Sequence, residues 1–405
     1  MKILLSAYSC EPNKGSESEV GWRWATELSA KGNDVYVITR SNNQNNINEE
    51  LSKIHIKNLK FLYFDFPSWF IRIIKGKFNK FSYIYFYLWQ IGIYLKFKKF
   101  IKNNNFDFIH HVTFVSYRFP SFLSLCDVPF IYGPLSGGEE VPIKLRKSFS
   151  LKDKIKERFR DLTNKFISIS PFINMTFKRA IKIIVNTEQT KKKIPKSYHH
   201  KTFIELAIAI DEQQSTNTQN IDFDKEKLNL CFVGNYEHIK GINIILKIIK
   251  KLKVNNHKFL FNFIGSGSLE NYIKENLKKN KFNDCVKIHQ KIPQDKIFEF
   301  MKKNQLLIFP ALRDSGGIVL LEAMSIGLPS AILALGGPSQ IVNKDCGIII
   351  NTSEKNEDEI ANDFYFELKG VINDRKKLKQ MSINCLNRVK TFSWHNKFNK
   401  IYENK

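Results

Sequence analysis

The chain has 405 residues, with 64 Lys and Arg against 39 Asp and Glu, and a formal net charge of +25. A hydrophobic content of 43% excludes a disordered chain, and the length exceeds what one compact core holds, so two domains are predicted. The charge points to an anionic partner, a class that takes in sugar nucleotides, anionic membrane surfaces and nucleic acid. Six cysteines without C-x-x-C spacing exclude a disulfide framework and read as small buried hydrophobes of a reducing compartment.

Residues 2–7 are too short an apolar run for a signal peptide and read as a first strand. A loop containing Gly15 follows, then a helix begun by Ser16 to Glu19, then a strand over 34–39, giving a βαβ opening. Gly15 suits either a ligand-approach loop or a plain turn. The Asn-rich stretch 41–48 is predicted as a loop, and 61–64 as a strand. Residues 81–95 are uncharged and aromatic but fall short of the ~20 apolar residues that span a bilayer. They suit a helix buried on a sheet, or one dipping into a membrane interface beside Lys96, Lys98 and Lys99.

The strand 106–113 delivers His110 and His111 to its carboxyl end, where ligands bind in open α/β sheets. Adjacent strand residues face opposite ways, so only one of the two can point at a given site. A strand over 129–132 leads into Gly137, Gly138 and Glu139, either a ligand-approach loop or a turn. Residues 144–182 are basic and helical, with interleaved Phe149, Phe159, Phe166, Phe172 and Phe177. Such a face is solvated, or else lies on anionic lipid. The polar, aperiodic stretch 211–227 is the predicted linker.

A second βαβ series starts at 228–233, followed by Gly234, Asn235 and Lys240 in a loop and a helix over 242–252. The strand 259–264 leads into Gly265-Ser266-Gly267, which lacks the third glycine of a dinucleotide fingerprint. The densest stretch is 304–347: strand 306–309, the loop Arg313-Asp314-Ser315-Gly316-Gly317, helix 318–326, strand 330–335 and Gly336-Gly337. Gly316 and Gly317 admit a ligand close to the backbone, and the helix start behind them offers unpaired N–H groups to an anion such as a diphosphate. Glu322 sits among Leu320, Leu321, Ala323 and Met324, so its carboxylate needs a partner, for which a ribose or sugar diol is suited.

Asp314-x7-Glu322, continued by Ala-Met-Ser-Ile-Gly-Leu-Pro and Gly336-Gly337, resembles the E-x7-E region of retaining GT-B glycosyltransferases of family 4 type. The resemblance implies an α/β fold of two doubly wound Rossmann-like domains facing a central cleft. It implies an acceptor-side domain over 1–210, a linker over 211–227, a nucleotide-sugar domain over 228–390 and a terminal helix, 391–405, crossing back. It places Glu322 on the nucleotide ribose and Asp314, one methylene shorter than the family's Glu, beside the donor sugar. Ser315, Gly316, Gly317, Gly15, Gly234 and Gly265 fall at donor-binding loops. Lys240 matches the lysine that neutralises the donor diphosphate, while Asn235 replaces the arginine that accompanies it. His110, with His111 in reserve, falls near the reacting carbon, and Gly137, Gly138 and Glu139 form an acceptor or cleft loop.

The activity so implied is retaining transfer of a sugar from a nucleotide sugar to a saccharide or lipid-linked acceptor, without metal or other cofactor, in cell-surface polysaccharide assembly (lipopolysaccharide, O-antigen, capsule or exopolysaccharide). Its expected place is cytoplasmic, peripheral on the inner face of the plasma membrane through the basic helices of the first domain, with no nucleic-acid partner. A GT-B epimerase and a degenerate scaffold are the alternatives.

Overall fold

Short apolar runs recur along the chain and become the strands of two parallel sheets. The computed structural model describes residues 1–54, 56–75, 82–167, 170–210, 221–289, 292 and 294–403. They form two compact units, Met1–Gly138 with Asp161–Ala207, and Glu139–Arg160 with Ile208–Lys405.

The first unit holds β1 (Lys2–Ala7), β2 (Asp34–Thr39), β3 (Leu59–Tyr63), β4 (Phe108–Thr113), β5 (Phe130–Leu135), β6 (Ala180–Val185) and β7 (Thr202–Ile204). They pair in parallel in the order β3-β2-β1-β4-β5-β6-β7. Both faces are covered, so Ile3, Leu4 and Leu5 are fully buried in succession. The aromatic stretch becomes the helix Ser82–Lys102, which buries Tyr85, Phe86, Trp89 and Ile93 and runs on through the lysines. Of the two placements open to it, the buried one is observed. Among the described residues no helix is long and apolar enough to cross a membrane.

The second unit holds β8 (Leu228–Val233), β9 (Phe259–Ile264), β10 (Val286–His289), β11 (Leu306–Phe309), β12 (Ser330–Leu333) and β13 (Gly347–Ile350), parallel in the order β10-β9-β8-β11-β12-β13. In each sheet the order reverses once beside its first strand, between β1 and β4 and between β8 and β11. Those switch points are where open α/β sheets bind ligands, at the strands' carboxyl ends.

Several expectations need correction. The Asn-rich stretch is not a loop: a short 3-10 turn, Ser41–Asn43, leads into the helix Gln44–Lys53, anchored by fully buried Ile47. Asn43 is buried too and donates to Thr39 Oγ1 at 2.9 Å. The first unit does not run unbroken to 210. Residues 139–160 join the second unit, held by Arg313 Nη1 on Glu157 Oε1 at 2.6 Å and Ser148 Oγ on Glu357 Oε1 at 2.6 Å. The terminal segment also groups with the second unit, through an Ile210 N–H to Phe392 O bond of 3.1 Å. Of the predicted linker, 211–220 lies outside the described residues. The helix Glu357–Asn373, opened by an Asn356 capping box, went unpredicted.

Candidate active site

In the second unit the switch point brings two loops together. The loop after β8 carries Gly234, exposed Asn235 and the 3-10 turn His238–Lys240, and the helix Ile242–Val254 follows. The loop after β11 carries Arg313 to Gly317 and opens the helix Ile318–Ser325, with Gly317 at its N-cap (φ 84°). Leu312 N–H donates to Ile239 O at 2.8 Å, tying the loops backbone to backbone. Lys240 Nζ donates to Asp314 Oδ2 at 2.6 Å, with side chains 21% and 15% exposed. The other Asp314 oxygen accepts from Gly316 N–H at 3.0 Å. Asp314 therefore spans the cation and the glycine turn that precedes the helix.

Two glycine contacts hold these loops at close range. A Cβ on Gly336, whose φ is +57°, would lie 2.2 Å from the Asp314 carbonyl oxygen. Gly337 N–H donates to that same oxygen at 2.8 Å, so the loop after β12 backs the Asp314 turn. A Cβ on Gly265 would lie 2.0 Å from Gly234 O, so the loops after β8 and β9 touch through these two glycines. Glu322 is half-buried on the helix Ile318–Ser325, whose Leu320, Leu321, Ala323 and Met324 are buried. Arg313 cannot stand in freely for the cation that Asn235 lacks. Its guanidinium is paired with Glu157, whose side chain is only 4% exposed.

In the first unit, Gly15 (φ 65°) caps the helix Ser16–Ala30. Glu17, in the first turn of that helix, accepts from Val115 N–H at 2.5 Å just past β4. Burial outweighs that bond and raises its carboxyl to about 7. His110 is fully buried on central β4; its Nε2–H meets Gly133 O at 2.6 Å and its ring stands edge-on to Trp24. Burial lowers it to about 3, so the ring is neutral. His111 faces the other way, its Nε2–H toward Phe114 O at 3.2 Å, and burial lowers it to about 4. A central strand covered on both faces encloses both rings, and the His110 bond to Gly133 O ties β4 to β5.

The Gly137-Gly138-Glu139 loop straddles the boundary between the units. Gly137 O accepts from Arg118 Nη2 at 2.5 Å, and Gly138 N–H donates to Thr190 Oγ1 at 3.2 Å. Glu139 is buried.

This arrangement of loops has relatives. Residues 213–388 match the family described as "Glycosyl transferases group 1". Over that region the chain is similar to group 1 glycosyltransferases. The amylovoran biosynthesis glycosyltransferase AmsK of Erwinia amylovora is 27% identical over 29% of this chain and 30% of its own. The uncharacterized glycosyltransferase MJ1607 of Methanocaldococcus jannaschii is 24% identical over 47% of this chain and 48% of its own. The aligned region thus spans about a third to a half of these relatives. Among solved structures, Anabaena HepE in complex with UDP superimposes with a TM-score of 0.64 at 15% identity, over 100% of this chain and 99% of that one. At that identity the likeness is one of fold, and the fold is GT-B, as the resemblance implied.

Within the matched region, Lys240, Asp314, Gly316 and Gly317 are brought together, and Gly234 meets Gly265. Gly15 and the two histidines lie in the first unit. Sequence reasoning missed Glu17, although its place two residues after Gly15 in a first helical turn was legible. It also missed the Arg313–Glu157 pair, because 156 residues separate the partners and Glu157 reads as one charge on a basic helix.

Proposed function

We propose that this protein is a retaining glycosyltransferase that takes a sugar from a nucleotide sugar held on the second unit and passes it to a saccharide or lipid-linked saccharide in cell-surface polysaccharide assembly. The observation that carries the reading is the Lys240–Asp314–Gly316 chain of contacts at the β8/β11 switch point. A departing nucleoside diphosphate accumulates negative charge. Lys240 and the N–H groups at the start of Ile318–Ser325 are the groups able to offset it. On arrival the diphosphate competes with Asp314 for Lys240, which frees the Asp314 carboxylate for hydroxyls of the donor sugar. Glu322 takes the ribose diol, and Ser315, Gly234 and Gly265 line the approach.

The UDP in the HepE complex and the amylovoran role in the AmsK name support a nucleotide-sugar donor and a polysaccharide product. Metal plays no part in this reading: the lysine and the helix start do the work of a cation. The acceptor belongs on the first unit, near Gly15 and Glu17, with Glu17 hydrogen-bonding an acceptor hydroxyl. The membrane part of the reading rests on the helix Leu151–Phe166. Leu151, Ile155, Phe159 and Leu162 form an apolar stripe, 76%, 60%, 68% and 51% exposed, among basic residues. That pattern suits an anionic lipid interface on the cytoplasmic side.

The test is calorimetry of the purified chain with UDP, GDP, ADP and their sugar derivatives, in EDTA, beside Glu322→Ala. Saturable binding of one nucleotide, weakened in the variant, is expected. Absence of binding by the folded protein overturns the reading and leaves a scaffold. Anomeric configuration of the product, read by NMR, decides between retention and inversion.

A further inference from the structure

On the second unit, away from the β8/β11 loops in its lining, a cavity of about 650 Å³ lies between helices. The helix Ile242–Val254 contributes Asn243, Leu246, Lys247 and Lys250, an i, i+3, i+4, i+7 face. The helix Glu270–Lys279 contributes Tyr272, Asn276 and Lys279, again one face, with Asn280 and Phe282 just beyond it. The capped start of Glu357–Asn373 and the segment Lys144, Lys147 and Ser148 close it. None of the residues assigned to the nucleotide sugar lines it.

The lining has five lysines against two carboxylates, and both carboxylates are occupied. Asp358 pairs with Lys247, and Glu357 accepts from Ser148 Oγ at 2.6 Å. Lys144 pairs with Glu354 at 2.8 Å. Lys250 and Lys279 have no ion pair among the described residues, so the cavity carries uncompensated positive charge. It also holds amide oxygens able to accept from a ligand, one of them enclosed and without a partner. Asn243 Oδ1 is enclosed without a hydrogen-bond partner. Asn276 and Asn280 each spend an Nδ2–H on a backbone carbonyl at 2.8 Å, which turns their carbonyl ends free. An inorganic anion answers the lysines but brings at most one or two O–H donors, too few and too close together to reach all three amide oxygens at once. A neutral sugar supplies donors but leaves the lysines unanswered. Tyr272, 40% exposed, adds an aromatic face for an apolar ring surface.

We propose that this cavity binds an acidic saccharide, with its carboxylate or phosphate on Lys250 and Lys279, its hydroxyls donating to Asn243, Asn276 and Asn280, and a ring face on Tyr272. The volume suits one or two sugar residues and lies within the usual range of ligand pockets. The site requires no transfer chemistry, so it stands or falls separately from the donor site.

The experiment is calorimetry of the full chain with a tri-uronate, a phosphorylated oligosaccharide, a neutral oligosaccharide of equal length and inorganic phosphate. The variants are Lys250→Glu with Lys279→Glu, and Asn243→Leu, each checked by melting temperature; Lys240→Ala serves as the donor-site control. Saturable binding of an acidic oligosaccharide is expected, about tenfold or more weaker in each cavity variant and unchanged in Lys240→Ala. Preference between the uronate and the phosphorylated sugar then identifies the acid group. Inorganic phosphate or the neutral sugar binding as tightly as the acidic one overturns the assignment. So does acidic-sugar affinity that neither cavity variant changes, or no binding by folded protein. Absence of nucleotide binding by the unmutated chain, with its acidic-sugar binding intact, would sink the transferase reading and leave this one standing.

Discussion

Lys240 illustrates how much one residue's meaning depends on its neighbours. On a surface loop a lysine is a weak electrostatic element, but here it is mostly covered and bonded to Asp314. Truncation as Lys240→Ala removes the cation and frees Asp314 to repel a diphosphate. Nucleotide affinity should fall about 10- to 100-fold, the ~1.5–3 kcal/mol of a charge-assisted bond, as read by calorimetry. Asp314→Asn should retain nucleotide binding better than it retains turnover.

Glu17 makes a prediction in pH. Its carboxyl is raised to about 7, so the folded state holds a proton that an unfolded Glu releases from its ordinary 4.5 upward. The resulting stabilisation is complete below that ordinary value and is lost as pH rises through about 7. The contribution of this group to melting temperature should fall by a few degrees between about pH 5 and 8, opposite in sign to that of the buried histidines, and shows as the difference from a variant without it. In Glu17→Gln, which keeps an oxygen for Val115 N–H, that contribution should vanish from the slope of melting temperature against pH. An unchanged slope would mean that burial does not govern this carboxyl.

At the scale of elements, the loops act through backbone contacts as much as side chains. Gly336→Ala puts a methyl group against the Asp314 carbonyl at 2.2 Å in a left-handed backbone. It should cost about 2 kcal/mol or more and weaken nucleotide binding along with melting temperature, because the Asp314 turn must shift. The helix Leu151–Phe166 behaves differently. Its apolar stripe stands in solvent, so Ile155→Glu with Phe159→Glu should leave melting temperature within about a degree. Sedimentation with anionic vesicles should fall several-fold. Equal sedimentation of both proteins would remove the membrane part of the proposed function.

For the whole molecule, the buried histidines set an acid limit. His110 and His111 are lowered to about 3 and 4 by burial. Below pH ~6.5 the unfolded chain takes up protons that the fold refuses, so stability present above that point is lost as pH falls toward those values. The surplus of lysine and arginine adds self-repulsion as carboxylates are neutralised. In Glu17→Gln, which lacks the opposing contribution of that carboxyl, denaturant midpoints measured from pH 7 to 4 should therefore decline steadily. Histidine ring resonances followed by NMR should include two that do not titrate above pH 5; a midpoint near 6.5 for both would show that they are solvated.

Much of this molecule was legible from its residues alone. Strands such as 228–233 and 259–264 are apolar runs bounded by glycine, and period and length suffice to place them. The glycine loop before the helix Ile318–Ser325 was legible for the same reason: a turn's chemistry is local. What sequence could not decide was which side chains meet, since that depends on strand order. Parallel pairing of β8 with β11 brings Lys240 onto Asp314 across 74 positions. The covering of β4 on both faces, which encloses His110 and sets its bond to Gly133 O, is likewise a product of strand order. Residues 139–160 look like part of the first domain because they follow it in the chain. They pack with the second because Glu157, Ser148 and Lys144 find their partners there, and burial and ion pairing act on distance in space rather than along the chain.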